Sequence, residues 1–229
     1  MMFHDMRAVW VLLLTVMTAA FLFPGRETVY SELKETEEPG ICIKGRKIWT
    51  VLCPSGYAGV LYLYFRFGNS VPAERFLFLL YVYQYSLLVG LVDLFSHNYY
   101  LEMLSGLVLF IPFGCLTWGF PDAMCGLLAG ICCGGAIALT EWLMFRKLSY
   151  GGGDAVYGAA ASCLAGYSNL TVYWILFAVI LLVGAAVHVI YVKAVLKQTI
   201  EENRFVPLLP WLSLLTVCVY AVSILSAAA

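Results

Sequence analysis

The chain has 229 residues, of which 62% are hydrophobic and only 12% charged, with a formal net charge of −1. Soluble domains carry about 25% charged residues and are roughly half apolar, which excludes a sizeable soluble fold. The near-neutral balance also argues against nucleic acid as a partner, because phosphate binding needs a clustered basic face; the lipid bilayer is the expected partner.

A hydrocarbon core about 30 Å thick takes roughly 20 apolar residues per helical crossing. Eight such segments are read along the chain, an all-α bundle forming a single membrane domain over 1–229. Residues 8–23 make the first, stopped by Pro24 and Gly25. Arg7 ahead of this run also fits a secretory signal peptide, but Phe21-Leu22-Phe23-Pro24 offers no small-x-small cleavage site, so an uncleaved span is expected. A Glu-rich polar stretch, 26–47, carries both signs of charge and is too short to fold alone, so a solvated cytoplasmic loop is expected there. Residues 48–65, interrupted by Pro54 and Gly56, make the second span, and 76–92 the third, ending at Asp93. Residues 103–119 and 123–145 follow, parted by Phe120-Pro121-Asp122. Then come a short segment 154–167, a turn at Ser168-Asn169, and spans 171–192 and 206–225.

Lys and Arg in short loops set orientation. Lys44, Arg46 and Lys47, then Arg146 and Lys147, then Lys193, Lys197 and Arg204 fall on one side of an eight-span chain. The opposite connections hold only Arg75. The basic side is read as cytoplasmic, which leaves both termini outside. Cys115, Cys125, Cys132, Cys133, Cys163 and Cys218 lie in apolar runs and read as small packing residues. Cys42 and Cys53 are too far apart for a CxxC pair, so no metal site is expected.

Ionisable groups within spans are costly and therefore informative, at about 2.5–3.5 kcal/mol for a central Asp. The candidates are Asp93, Glu102, Glu141, Asp154 and His188. Glu102 reads as the cytoplasmic end of the fourth span in preference to a partner of Asp93, Glu141 can snorkel or pair with Arg146, and His188 reads as a packing residue. Asp93 ends the third span on the cytoplasmic side, and Asp154 opens the sixth on that side after Gly151, Gly152 and Gly153. Two carboxylates at one depth can hold a water between them, and at about 3 Å they share a single proton, one acting as base and one as acid. Glycine permits close backbone approach and φ > 0, so an extended substrate could lie beside Asp154. The plainer alternative is a flexible glycine loop with Asp154 as an N-cap. Tyr157, one turn on, is placed to line the site.

The order Asp93, then Gly151-Gly152-Gly153-Asp154, then Pro207-Leu208-Leu209-Pro210 resembles the type IV prepilin peptidases, intramembrane aspartyl peptidases of the GxGD class. Gly151, Gly153 and Asp154 match the GxGD positions, Asp93 the first aspartate, and Pro207 and Pro210 the proline pair that begins the last span. The small-residue run Gly158-Ala159-Ala160-Ala161-Ser162 also looks like the family's close-packed sixth helix. The resemblance implies an aspartic endopeptidase with Asp93 and Asp154 catalytic, no cofactor, and prepilin-like membrane proteins as substrates. It departs at Tyr99-Tyr100-Leu101-Glu102, where the family commonly has Pro-Asp or Pro-Asn, and at Val156, where Lys is common. The paired CxxC motifs of larger members, associated with N-methylation, are absent from 26–47, so peptidase activity without methyl transfer is expected. A proton-coupled transporter using the same carboxylates, and a pilin-assembly protein that does not cut, are the rival readings. Against the transporter, the two halves show no internal repeat.

The orientation is tested by labelling introduced cysteines in a cysteine-free background. An impermeant maleimide applied outside should modify Ser168→Cys and leave Ser149→Cys untouched; the reverse pattern inverts the chain.

Overall fold

A computed structural model of the chain describes residues 2–34, 39–96, 101–145, 152–191 and 209–226. Every regular element in these stretches is helical: α1 Met2–Lys34, α2 Pro39–Phe67, α3 Ala73–Ser96, α4 Phe110–Trp118, α5 Phe120–Phe145, α6 Gly152–Ala165, α7 Leu170–Tyr191 and α8 Leu209–Ser226. Helices satisfy their own backbone polar groups, the condition that hydrocarbon imposes. Among the described residues five helices are long and apolar enough to cross a membrane, or six if the bent pair α6–α7 is one crossing. The protein is therefore a multi-pass membrane protein.

The polar stretch after the first span differs from expectation. α1 continues through Pro24 and Gly25 to Lys34, and α2 begins at Pro39, so most of 26–47 is helical rather than a solvated loop. Packing overrides the breakers. The Trp49 ring lies where a Cβ on Gly25 would be, and its indole N–H donates to the Leu22 carbonyl at 3.1 Å. Arg46 pairs with Glu27 at 2.9 Å. Val29, Leu33, Cys42, Trp49, Cys53 and Leu91 form a satellite core of their own. Pro54 and Gly56 likewise fail to interrupt α2, because the Tyr83 ring fills the space beside Gly56 and its hydroxyl donates to the Leu52 carbonyl at 2.9 Å. With 33 and 29 residues, α1 and α2 reach about 50 and 44 Å, longer than the hydrocarbon core is thick. The fourth segment is also different: Leu101–Leu109 is a 3₁₀ stretch, and α4 has only nine residues.

Helix ends gather into two sets. At one end Arg7 donates to Asn69, Arg75 donates to the Thr117 carbonyl at 3.3 Å, and Asp122 accepts from the Ser168 hydroxyl at 2.9 Å. At the other, a Cβ on Gly45 would lie 3.5 Å from Phe95, and Asp93 meets Leu209. α3 and α8 are therefore antiparallel, with the end of α1 and the start of α2 beside the Asp93 end.

α6 runs through the middle. Residues 157–165 are all buried, and most are small. A Cβ on Gly114 of α4 would lie 2.6 Å from the Cys163 carbonyl oxygen, one on Gly126 of α5 2.5 Å from that of Ser162, and one on Gly130 2.9 Å from the Ala159 Cα. Backbone meets backbone along this seam, the usual device where lipid is as apolar as the helices. α6 ends at Gly166, whose φ of +74° turns the chain through 104° into α7 while Trp118 and Asp122 crowd the site.

The seam predicts an asymmetry among glycines. Gly126→Ala should lower stability by about 1–3 kcal/mol, the range for overpacking. Gly135→Ala, on the same helix with nothing within 4 Å, should be neutral or stabilise by up to about 1 kcal/mol. Thermal unfolding in detergent compares the two.

Candidate active site

Asp93 lies in the last turn of α3, inside the helix rather than after it, and is half-buried. Its Oδ2 accepts a hydrogen bond from the Leu209 backbone N–H at 3.2 Å. Leu209 is the first described residue of α8, where helix N–H groups lack partners within the helix, so Asp93 caps a neighbouring helix from across the bundle. The carboxylate also faces the positive end of the α8 dipole. One turn earlier, Gly90 lets the two backbones touch: a Cβ there would lie 3.2 Å from the Pro210 Cα. Pro210 is thus part of the contact that Asp93 makes.

Asp154 is the third residue of α6 and is half-buried. The expected glycine turn is not a turn at Gly152 and Gly153, which are already helical, so Asp154 is not an N-cap. Among the described residues positive φ occurs at Gly119 and Gly166, not at Gly152 or Gly153. Gly152 is exposed, and among the described residues a Cβ on it would meet nothing within 4 Å.

Tyr157, one turn on, is fully buried and shares a 2.7 Å hydrogen bond with Ser86 of α3. Its hydroxyl also lies toward Ser213 and Thr216 of α8. This contact fixes relative depth. Asp93 lies seven residues beyond Ser86 along α3, about 10.5 Å; Asp154 lies three before Tyr157 along α6, about 4.5 Å toward the same end. The two carboxylates therefore lie within about one or two helical turns of the same level. On the Asp93 side, an apolar cleft of about 350 Å³ opens between α2, α3 and α8, its walls including Leu52, Gly90, Leu94, Pro210, Ser213 and Leu214.

Gly151, Pro207, Tyr99 and Tyr100 lie outside the described residues, as do Arg146, Lys147, Lys193, Lys197 and Arg204; so do the side chains of Glu102, Glu141 and His188. Among the described residues no three His, Cys, Asp or Glu side chains converge as metal ligands would. Sequence reasoning missed Ser86, Gly90 and the Leu209 N–H. Gly90, one turn before Asp93 in an otherwise bulky run, was the available signal for close backbone approach.

Comparison of the chain with family models, with curated proteins and with solved structures returned no match.

The cap predicts how substitutions at Asp93 affect folding. Asp93→Asn keeps an acceptor for Leu209 and should leave the melting temperature nearly unchanged, since Asn caps about as well as Asp. Asp93→Ala removes it and should cost about 1 kcal/mol, a fall of roughly 2–4 °C for a chain of this size. Melting of the two purified variants beside the wild type measures this.

Proposed function

We propose that this chain is an intramembrane aspartyl endopeptidase that removes the leader from type IV prepilin-like proteins at the cytoplasmic face of the inner or plasma membrane. In this reading it crosses the bilayer eight times with both termini outside. Asp93 and Asp154 are the catalytic pair; Gly151, Gly152 and Gly153 support the loop where substrate enters, and Pro207 and Pro210 shape the start of the last span. The observation that carries the reading is that Asp93, the start of α6 with Asp154, and the start of α8 with Pro210 gather at one end of the bundle. These three segments are distant in sequence and are the ones that resemble the peptidase motifs. The division of helix ends into two sets supports the eight-pass arrangement, because the connections at 68–75, 118–122 and 166–169 fall at the other end.

The chemistry needs no group from outside the chain. The pair shares one proton. Its ionised member takes a proton from water as the oxygen attacks the scissile carbonyl, and the protonated member gives its proton to the departing amine. Gly152, which has no side chain and is exposed, leaves room for an extended backbone next to Asp154. The apolar cleft beside Asp93 offers a surface for the hydrophobic helix that follows the leader.

A second reading has one observation in its favour. The hydrogen bond from Leu209 to Asp93 is what a purely structural helix cap would make, as in a pilin-assembly protein that does not cut.

Co-expression with prepilins from the same genome separates the two. Leader loss, scored by N-terminal mass, should occur with the wild type and fall about a thousandfold or more in Asp93→Asn and in Asp154→Asn. The double variant should be no worse than either, as for groups that act as a unit. An amide can neither take a proton from water nor share one, yet it preserves the cap. Cleavage that persists in Asp154→Asn at matched membrane levels removes Asp154 from the site, and a wild type that never cuts favours the structural reading.

A further inference from the structure

At the end of the bundle away from Asp93 lies a polar pocket of about 490 Å³, walled by Met6, Arg7, Trp10, Tyr64, Asn69 and Ala73. Its polar groups are mostly donors. Arg7 offers five N–H groups in a fixed fork, and the one described bond it makes is to the Asn69 side-chain oxygen, so the Asn69 amide group has donors to offer as well. The Trp10 indole donates only, and the Tyr64 hydroxyl can donate. The pocket borders the first residue of α3, whose helix dipole presents its positive end there. Among the described residues the ion pair formed is Arg46–Glu27, and no described carboxylate lines the pocket with Arg7; Glu74 is exposed on the first turn of α3, outside it. A cavity with a guanidinium and several neutral donors suits an anion with several oxygens, and arginine matches phosphate best.

The surface leading away from the pocket decides the source of that phosphate. Met6, Val9, Leu13 and Val16 recur every three or four residues along α1, and all are exposed. This stripe runs about 15 Å from the pocket toward the middle of the bundle. Trp10, half-buried at its head, is of the kind of residue that favours the headgroup level. A free phosphate ester would use the pocket and leave the stripe bare; a phospholipid uses both.

We propose that this pocket binds the phosphodiester headgroup of an anionic phospholipid, with Arg7 and Asn69 on the phosphate and an acyl chain along the α1 stripe. The site is separate from the aspartates and does not depend on the peptidase reading. Two contacts distinguish it from a general attraction of lipid to positive charge. Arg66, at the same end, lies 5.7 Å over the Phe67 ring and outside the pocket, so it serves as the charge control.

Native mass spectrometry of the detergent-purified full chain, titrated with phosphatidylglycerol or phosphatidylcholine of identical acyl chains, tests this. The wild type should retain phosphatidylglycerol at least about fivefold better, the ratio expected from roughly 1 kcal/mol per basic residue. Arg7→Gln should bring the ratio near one, Asn69→Ala should lower it, and Arg66→Gln should leave it unchanged. Arg7 and Asn69 are exposed, so these variants should fold, and a melting curve on each checks that. An unchanged ratio in Arg7→Gln, or an equal loss in Arg66→Gln, overturns the site. Binding of glycerol 3-phosphate without preference between the two lipids overturns the lipid assignment.

Discussion

Helix α6 carries almost no side-chain bulk over 157–165 beyond Tyr157 and Leu164, and this lets α4 and α5 press their own backbones against it. At Gly114, Gly126 and Gly130 an added Cβ would come within 3 Å of α6 atoms, so neither side can give way. In a bilayer no hydrophobic force drives helices together, because lipid tails are as apolar as leucine; close packing and hydrogen bonds must do it. The glycine seam supplies the first. Tyr157 supplies the second, as the large side chain that leaves α6 on its other side and bonds Ser86 of α3.

This arrangement sets the depth of the aspartate end. α6 is held by α5 on one face and by Tyr157 on the other, so its first turn, with Asp154, cannot slide relative to α3. α8 is fixed to α3 independently, through Asp93 on the Leu209 N–H and Gly90 against Pro210. Asp93 thus serves the fold whatever else it does. That dual role makes asparagine, not alanine, the informative replacement, since it keeps the acceptor and removes the acid.

The α1–α2 hairpin adds a feature of its own. Both helices outrun the hydrocarbon core, and their joined ends lie beside the Asp93 end, where Gly45 and Leu33 meet Phe95. The polar segment 26–47 is mostly a helical pair with its own small core around Trp49. It adds length to the bundle at the end where substrate would arrive in the proposed function.

The sequence by itself determined that the chain is helical and membrane-embedded, because composition and run length follow directly from what hydrocarbon tolerates. It also marked Asp93 and Asp154, since a carboxylate in an apolar run is costly enough to stand out. It misjudged 26–47, where Pro24-Gly25 reads as a stop in isolation and becomes helix once Trp49 packs over Gly25. It likewise misread Gly152 and Gly153 as a turn, because glycine is neutral between a loop and the first turn of a helix until neighbours choose. Only the tertiary structure decided that Asp93 bonds the start of α8, that Ser86 and Tyr157 set the level of the two carboxylates, and that Arg7 meets Asn69 across a pocket. Those pairings join residues far apart in the chain, and no local periodicity encodes which helix faces which.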